Sequence, residues 1–359
     1  MRAEVLVATT WNCNLRCSYC FIEKHLRNKK GTRMSASLAR RVVDALDEGL
    51  SDVESICVHF YGGEPLTNLP AVEAMLDRSQ GKSPDRFTWA ITTNGTICSS
   101  AAINLLGQGA FHVILSLDGP AEIHDEHRRT ARSAPTHARV LEFLHALRSR
   151  TKCWVRGSAV VRSGWRLSQA AEYLRSLPVD SIKAQAVRGR AGASYTLSQP
   201  EKETYLKDLE AIGNQVIAEL EAGTAPKDDR FSARVLQLLA GIQRDRFCAA
   251  GETTFGITPQ GEILPCVLIT SKDGHLGRVG DRPSLWRQAG RQWRRSRPPR
   301  RECHTCPALP LCGGGCPAIL PVCGADECDL VRKNCEVAAS IYEHFRSRPE
   351  TLLTLAGIP

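Results

Sequence analysis

The chain has 359 residues, 42% of them hydrophobic, which allows one large or two moderate domains with sizeable cores. Its formal charge is +9, and its 15 cysteines fall into groups rather than the even spread of a small oxidised disulfide scaffold. The apolar stretches are too short and interrupted to span a bilayer. No secretion signal is expected ahead of Cys13, so a cytoplasmic protein with no membrane partner is expected.

Residues 4–10 read as a buried strand that delivers Cys13. Further strands are predicted at residues 55–61, 87–92, 111–117, 154–161 and 181–187. Helical patterns at 36–47, 71–78, 101–106, 136–150 and 167–174 alternate with them, which argues for parallel βα units. Six such units suit an α/β fold with an open, partial (β/α)6 barrel better than a closed eight-unit barrel. A long helix through Glu221 and a second at about 231–241 read as a bridge. From Cys248 to about Phe345 the chain is cysteine-rich, and short hairpins and loops are expected. The predicted division is 1–197 barrel, 198–247 helical bridge, 248–346 cysteine-rich domain and 347–359 tail.

The chemistry is carried by Cys13, Cys17 and Cys20, a CxxxCxxC run placed directly after a strand. Three soft thiolates at this spacing can hold three corners of a [4Fe-4S] cube and leave one iron open. Tyr61-Gly62-Gly63-Glu64-Pro65 follows the second strand, Thr92-Thr93-Asn94-Gly95 the third, and Ser116-Leu117-Asp118-Gly119 the fourth. Parallel βα folds place their sites at such strand ends. Farther on, Cys248 and Cys266 flank Gly261. Cys303, Cys306, Cys312 and Cys316 form CxxCxxxxxCxxxC, and Cys335 follows. Zinc would also suit the second group, without a redox use.

These runs resemble the radical S-adenosylmethionine (SAM) enzymes, and the second group resembles their SPASM extension. The resemblance covers nearly the whole chain. It implies SAM and three [4Fe-4S] clusters as cofactors. Cys13, Cys17 and Cys20 would hold the cluster that cleaves SAM to a 5′-deoxyadenosyl radical. Cys248, Cys266 and Cys316 would hold auxiliary cluster I, and Cys303, Cys306, Cys312 and Cys335 auxiliary cluster II. A further ligand to cluster I that many members carry just before the position of Cys248 is missing here, and Cys323 and Cys328 are spare thiols. The implied SAM contacts are Gly62, Gly63, Glu64 and Pro65 at the methionine amino group, then Thr93, Asn94, Ser116, Asp118, Arg128 and Gln185, with Phe21 near adenine. Arg129 adjoins Arg128 and competes for the same register. His59 reads as a structural hydrogen-bonding histidine, and no general base is assigned.

The resemblance implies a radical SAM oxidoreductase that matures a ribosomally made peptide through an oxidative thioether, carbon–carbon or carbon–oxygen crosslink. The alternatives are an anaerobic sulfatase maturase forming formylglycine, a peptide epimerase and a small-molecule dehydrogenase. In the sulfatase maturases an aspartate follows the cysteine matched by Cys266; here it is Val267. The expected partners are the peptide, a reducing donor such as flavodoxin or ferredoxin, and a separate leader-peptide-binding protein, because Cys13 stands too early for a leader-binding domain ahead of it. Eight arginines lie between Arg282 and Arg301 with no acidic residue among them. No nucleic-acid-binding signature accompanies them, so a solvated face or an acidic peptide surface is expected rather than a nucleic-acid site.

Overall fold

A computed structural model describes residues 2–20, 22, 33–82, 84–189, 192–324 and 326–357. The strands are β1 (Arg2–Thr10), β2 (Ser55–Gly62), β3 (Phe87–Thr93), β4 (His112–Ser116), β5 (Trp154–Val161), β6 (Ser181–Ala186), β7 (Thr254–Ile257), β8 (Glu262–Leu264) and β9 (Gly277–Arg278). The longer helices are α1 (Ala36–Gly49), α2 (Leu69–Gln80), α3 (Ser100–Gln108), α4 (Ala121–His127), α5 (His137–Arg150), α6 (Leu167–Arg175), α7 (Gln199–Glu221), α8 (Ser232–Leu239), α9 (Pro283–Arg295) and α10 (Asp326–His344). The chain divides into two compact units, residues 1–116, 125–154 and 249–297, and residues 117–124, 155–248 and 298–359.

In the first unit β1 pairs in parallel with β2, β2 with β3, and β3 with β4. Val5 and Val7 are fully buried on one face of β1, and Phe60 on β2 stacks on Trp89 of β3 with centroids 5.7 Å apart. α1 begins where the Ser35 hydroxyl accepts the Leu38 amide at 3.1 Å, satisfying a free helix-end donor. It buries Ala39, Val42, Val43 and Leu46, an i, i+3, i+4, i+7 stripe. On its other edge β1 pairs in parallel with β7, which continues through antiparallel β8 and β9.

α9 answers the question of the arginine-rich stretch. Trp286, Gly290 and Trp293 recur at i, i+4 and i+7 and are buried, so an apolar stripe docks the helix while arginines line the opposite face. A side chain at Gly49 would overlap the Trp286 ring, which is why α1 ends on glycine where α9 crosses it. Arg287 clasps Asp52 with both terminal nitrogens, at 2.9 and 2.8 Å. The expected loop-and-hairpin region therefore contains helices as well. α9 has 13 residues and α10 has 19.

In the second unit β5 and β6 pair in parallel, completing the six βα steps expected of the partial (β/α)6 barrel. α7 starts at a reciprocal cap: the Ser198 hydroxyl and amide both donate to Glu201 Oε2, at 2.6 and 2.7 Å. The Gly164 amide and the Ser163 hydroxyl donate to Oε1, at 2.8 and 2.9 Å, tying the loop after β5 to the helix. Four donors hold the Glu201 carboxyl down at about 2 against the opposing cost of its desolvation. The buried pair Arg230–Asp228 and the Arg230 bond to the Ala184 carbonyl anchor the start of α8 to β6. α10 packs along α7 and α8, with Gly213 of α7 leaving room for Val337. No described helix is long and apolar enough to cross a membrane.

Candidate active site at the strand ends

The first-unit site is built where β1 runs out into the cysteine loop. β2 ends on Gly62 with φ +115°, and a side chain there would overlap the Thr10 carbonyl. A side chain on Gly63 would overlap the Asn12 backbone. The glycines let the two loops bond directly: Gly63 N donates to Thr10 O at 2.9 Å, and Glu64 N to Asn12 O at 2.8 Å. Pro65 is buried and opens a short helical turn that Glu64 caps. The GGEP run is thus fixed to the backbone that carries Cys13.

Glu64 is 1% exposed. Its carboxyl accepts from the Leu66 amide at 3.1 Å, the Thr93 hydroxyl at 2.8 Å and the Asn94 amide at 2.7 Å. Burial raises its pKa to about 7, against those three bonds and the nearby Arg128 charge. Asn94 carries the connection on. Its side-chain amide donates to Asn14 Oδ1 at 2.9 Å and approaches Cys13 Sγ at 3.7 Å, and its carbonyl accepts from the Thr96 amide and hydroxyl. Asn14 in turn donates to Thr96 Oγ1 at 2.7 Å. Asn14 and Thr96 were not singled out in the sequence, although each adjoins a run that was.

Cys13 Sγ also accepts the Leu15 amide at 3.4 Å. Burial pushes its thiol up to about 11, and the fields of Glu64, Cys17 and Cys20 add to the shift. The amide donors are those a bound thiolate uses, and a metal replaces the proton that burial retains. Among the described residues no three His, Cys, Asp or Glu side chains close into a coordination sphere. Phe21 lies outside the described residues.

Arg128 and Arg129 separate cleanly. Arg128 is 9% exposed, lies over the Tyr19 ring at 5.6 Å and acts on Glu64, whereas Arg129 is exposed and bonds the Ser133 carbonyl at 2.9 Å. His59 bonds Thr92 Oγ1 at 2.8 Å and faces Glu4 at 3.7 Å, the structural placement expected of it. Ser116 is the last residue of β4.

Asp118 and Gln185 belong to the second unit. Asp118 is 1% exposed, its carboxylate accepts the Val160 amide at 3.1 Å, and its carbonyl accepts the Trp165 indole at 3.0 Å. Gln185 is half-buried on β6, opposite Val160.

The carboxy-terminal cysteines divide between the units. Cys266 follows β8 in the first unit, and its carbonyl accepts the Ile269 amide at 2.9 Å. Its neighbour Val267 is 2% exposed and packs with Ala8, Trp11 and Ile22. In the second unit Cys303, Cys306 and Cys312 line one cavity of about 230 Å³. Gly313, Gly314 and Gly315 all have positive φ, at 68°, 90° and 82°. Side chains on them would overlap Arg246, Pro299 and Leu320. That tight loop turns the Gly314 and Gly315 amides onto Cys312 sulfur. Cys335 is 2% exposed beside Arg234 and lies within electrostatic reach of Cys306. Cys248, Cys312 and Cys335 all act on Arg244. Cys316 opens the next turn, its carbonyl accepting the Ile319 and Leu320 amides.

Residues 7–161 match the family model described as the Radical SAM superfamily. The serine-type anaerobic sulfatase-maturating enzyme of Klebsiella aerogenes is 25% identical over 87% of this chain and 78% of its own length. The match to the uncharacterized protein sll1766 of Synechocystis, 27% identical, covers 42% of this chain and 38% of that protein. The structure of native anSMEcpe with bound AdoMet and Cp18Cys peptide superposes with a TM-score of 0.77 at 18% identity, covering all of both chains. That of Streptococcus suis SuiB bound to precursor peptide SuiA gives 0.61 at 18% identity, over 89% of this chain and 73% of that one. The chain belongs to the radical SAM superfamily, as an oxidoreductase whose α/β core is followed by a SPASM-like auxiliary region.

Proposed function

We propose that this enzyme oxidises a side chain of a peptide or protein substrate, in the manner of the sulfatase-maturating enzymes. The observation that carries the reading is the Klebsiella alignment, which runs through barrel and cysteine-rich region alike over 87% of the chain. SAM, bound to an iron–sulfur cluster on Cys13, Cys17 and Cys20, supplies a radical that removes one hydrogen atom from the substrate. Glu64 holds the ammonium end of SAM, and Arg128 faces its carboxylate. Gly62 and Gly63 let backbone approach closely, Pro65 fixes the turn, and Thr93 and Asn94 hold Glu64 and the cysteine loop in register. Ser116, Asp118, Gln185 and Phe21 complete the proposed SAM contacts.

The auxiliary clusters, on Cys248, Cys266 and Cys316 and on Cys303, Cys306, Cys312 and Cys335, take up the second electron as the substrate loses its second hydrogen as a proton. In this reading residues 1–197 are the barrel, 198–247 the bridge and 248–346 the auxiliary domain. A flavodoxin or ferredoxin supplies the initiating electron.

Val267 favours a second reading, oxidative crosslinking of a ribosomal peptide. Its side chain is apolar and buried where the sulfatase maturases place an aspartate, so this chain lacks that base. Both readings remove two hydrogens from the substrate, so mass alone does not separate them. Reduced enzyme would be incubated with SAM and, separately, a sulfatase-derived serine or cysteine peptide and any short peptide encoded beside its gene. A product that loses two hydrogens and reacts with a hydrazide probe is the aldehyde of the first reading. A product of the same mass, inert to hydrazide and resistant to sequencing between two residues, is the crosslink. Neither product from either peptide rejects both.

A further inference from the structure

The cavity that holds Cys303, Cys306 and Cys312 has a basic rim and one more sulfur. Arg300, Arg332 and Cys328 line it too. Arg300 Nη2 lies 3.0 Å from Cys328 Sγ, and the same guanidinium bonds Cys303. Arg332 bonds Cys306 and also feels Cys328, while Asp329 at 3.5 Å offsets part of its charge. Each of the paired cysteines thus has its own arginine. On α10, Cys328 and Cys335 stand seven residues apart, so they share a helix face about two turns apart. Cys335 is the buried one.

We propose that Arg300 and Arg332 are positioning residues that raise the reduction potential of the cluster on Cys303, Cys306, Cys312 and Cys335, and that Cys328 is a non-ligand thiol competing for Arg300. A cluster gains negative charge on reduction, and that charge is shared with its cysteine sulfurs. A guanidinium donating to those sulfurs stabilises the reduced form more than the oxidised one. Such a cluster accepts an electron more readily, which suits an acceptor from a substrate radical. The inference rests on the auxiliary-cluster assignment proposed above.

The test uses full-length protein carrying Cys13→Ala, Cys17→Ala and Cys20→Ala, so that only auxiliary clusters remain after anaerobic reconstitution. Iron and sulfide are measured first, then midpoints by redox titration followed by electron paramagnetic resonance. With iron unchanged, Arg300→Met with Arg332→Met should lower one midpoint by about 59 mV, a tenfold change in a one-electron equilibrium, and leave the other in place. Cys328→Ala should keep all the iron and move the same midpoint upward, because Arg300 is then left to Cys303. If the methionine pair sheds iron, Arg300→Lys with Arg332→Lys serves instead: the charge stays, the planar fork is lost, and the midpoint should still fall. Unmoved midpoints at full iron overturn the proposal, as does loss of iron from Cys328→Ala. A parent protein with no auxiliary iron overturns the cluster assignment itself, and is seen before any arginine is changed.

Discussion

Glu64 is the residue on which the first-unit site turns, because it is a carboxyl buried beside a site meant for a cation. Its pKa, about 7 when folded, lies above the ordinary 4.5. A carboxyl raised by folding binds its proton more tightly in the folded state. Its contribution to stability is therefore complete below about 4.5 and is lost as pH rises through about 7. A bound ammonium favours the ionised form and reverses this cost. Thermal melts of the SAM-free protein should accordingly weaken between these pH values, and Glu64→Gln should flatten that slope. Calorimetric SAM binding should tighten as pH rises through 7 in the parent and not in the variant; equal profiles would remove Glu64 from SAM recognition. Gly63→Ala tests the neighbouring geometry. Its methyl would strike the Asn12 backbone, and a loss of about 1–3 kcal/mol is expected in denaturant melts, with poorer iron retention after reconstitution.

At the scale of elements, the cap on α7 makes a separate prediction. Glu201→Ala removes the acceptor of four donors from Ser163, Gly164 and Ser198, and should cost about 1 kcal/mol. Because folding lowers this carboxyl to about 2, its stabilisation is present above 4.5 and lost as pH falls toward 2. The variant and parent should therefore converge in acid, and a constant gap down to pH 2 would contradict the cap.

The six βα strands were legible because each is a short apolar run closed by turn residues, and the observed bounds differ from expectation by only a few residues. Glu64 and Cys13 were legible as runs, but the Asn14–Asn94–Thr96 connection was not. It joins the loop after β1 to the loop after β3, a proximity that only the folded sheet supplies. α9 was hidden by its charge: arginines dominate the composition, while two tryptophans and a glycine at helical spacing carry the docking. α10 was hidden for a similar reason, since attention to Cys328 and Cys335 as ligands obscured the apolar stripe of Val337, Ala338 and Ile341. The parallel pairing of β7 with β1 spans some 250 residues of sequence and has no local signal.

For the whole molecule, the account requires two separable iron–sulfur functions. Replacing Cys13, Cys17 and Cys20 should remove one cluster's iron and abolish SAM cleavage. Replacing Cys303 and Cys306 should spare that cluster and its SAM cleavage but stop completed substrate oxidation. Iron analysis with chromatography of 5′-deoxyadenosine checks both; full product from the second variant would deny the auxiliary cluster its role. The most direct measurement is SAM cleavage itself. Anaerobically reconstituted, dithionite-reduced enzyme should convert SAM to 5′-deoxyadenosine and methionine, and the Cys13→Ala, Cys17→Ala, Cys20→Ala protein should not. Enzyme with its full iron content, fully reduced and still forming no 5′-deoxyadenosine, would contradict the radical SAM assignment.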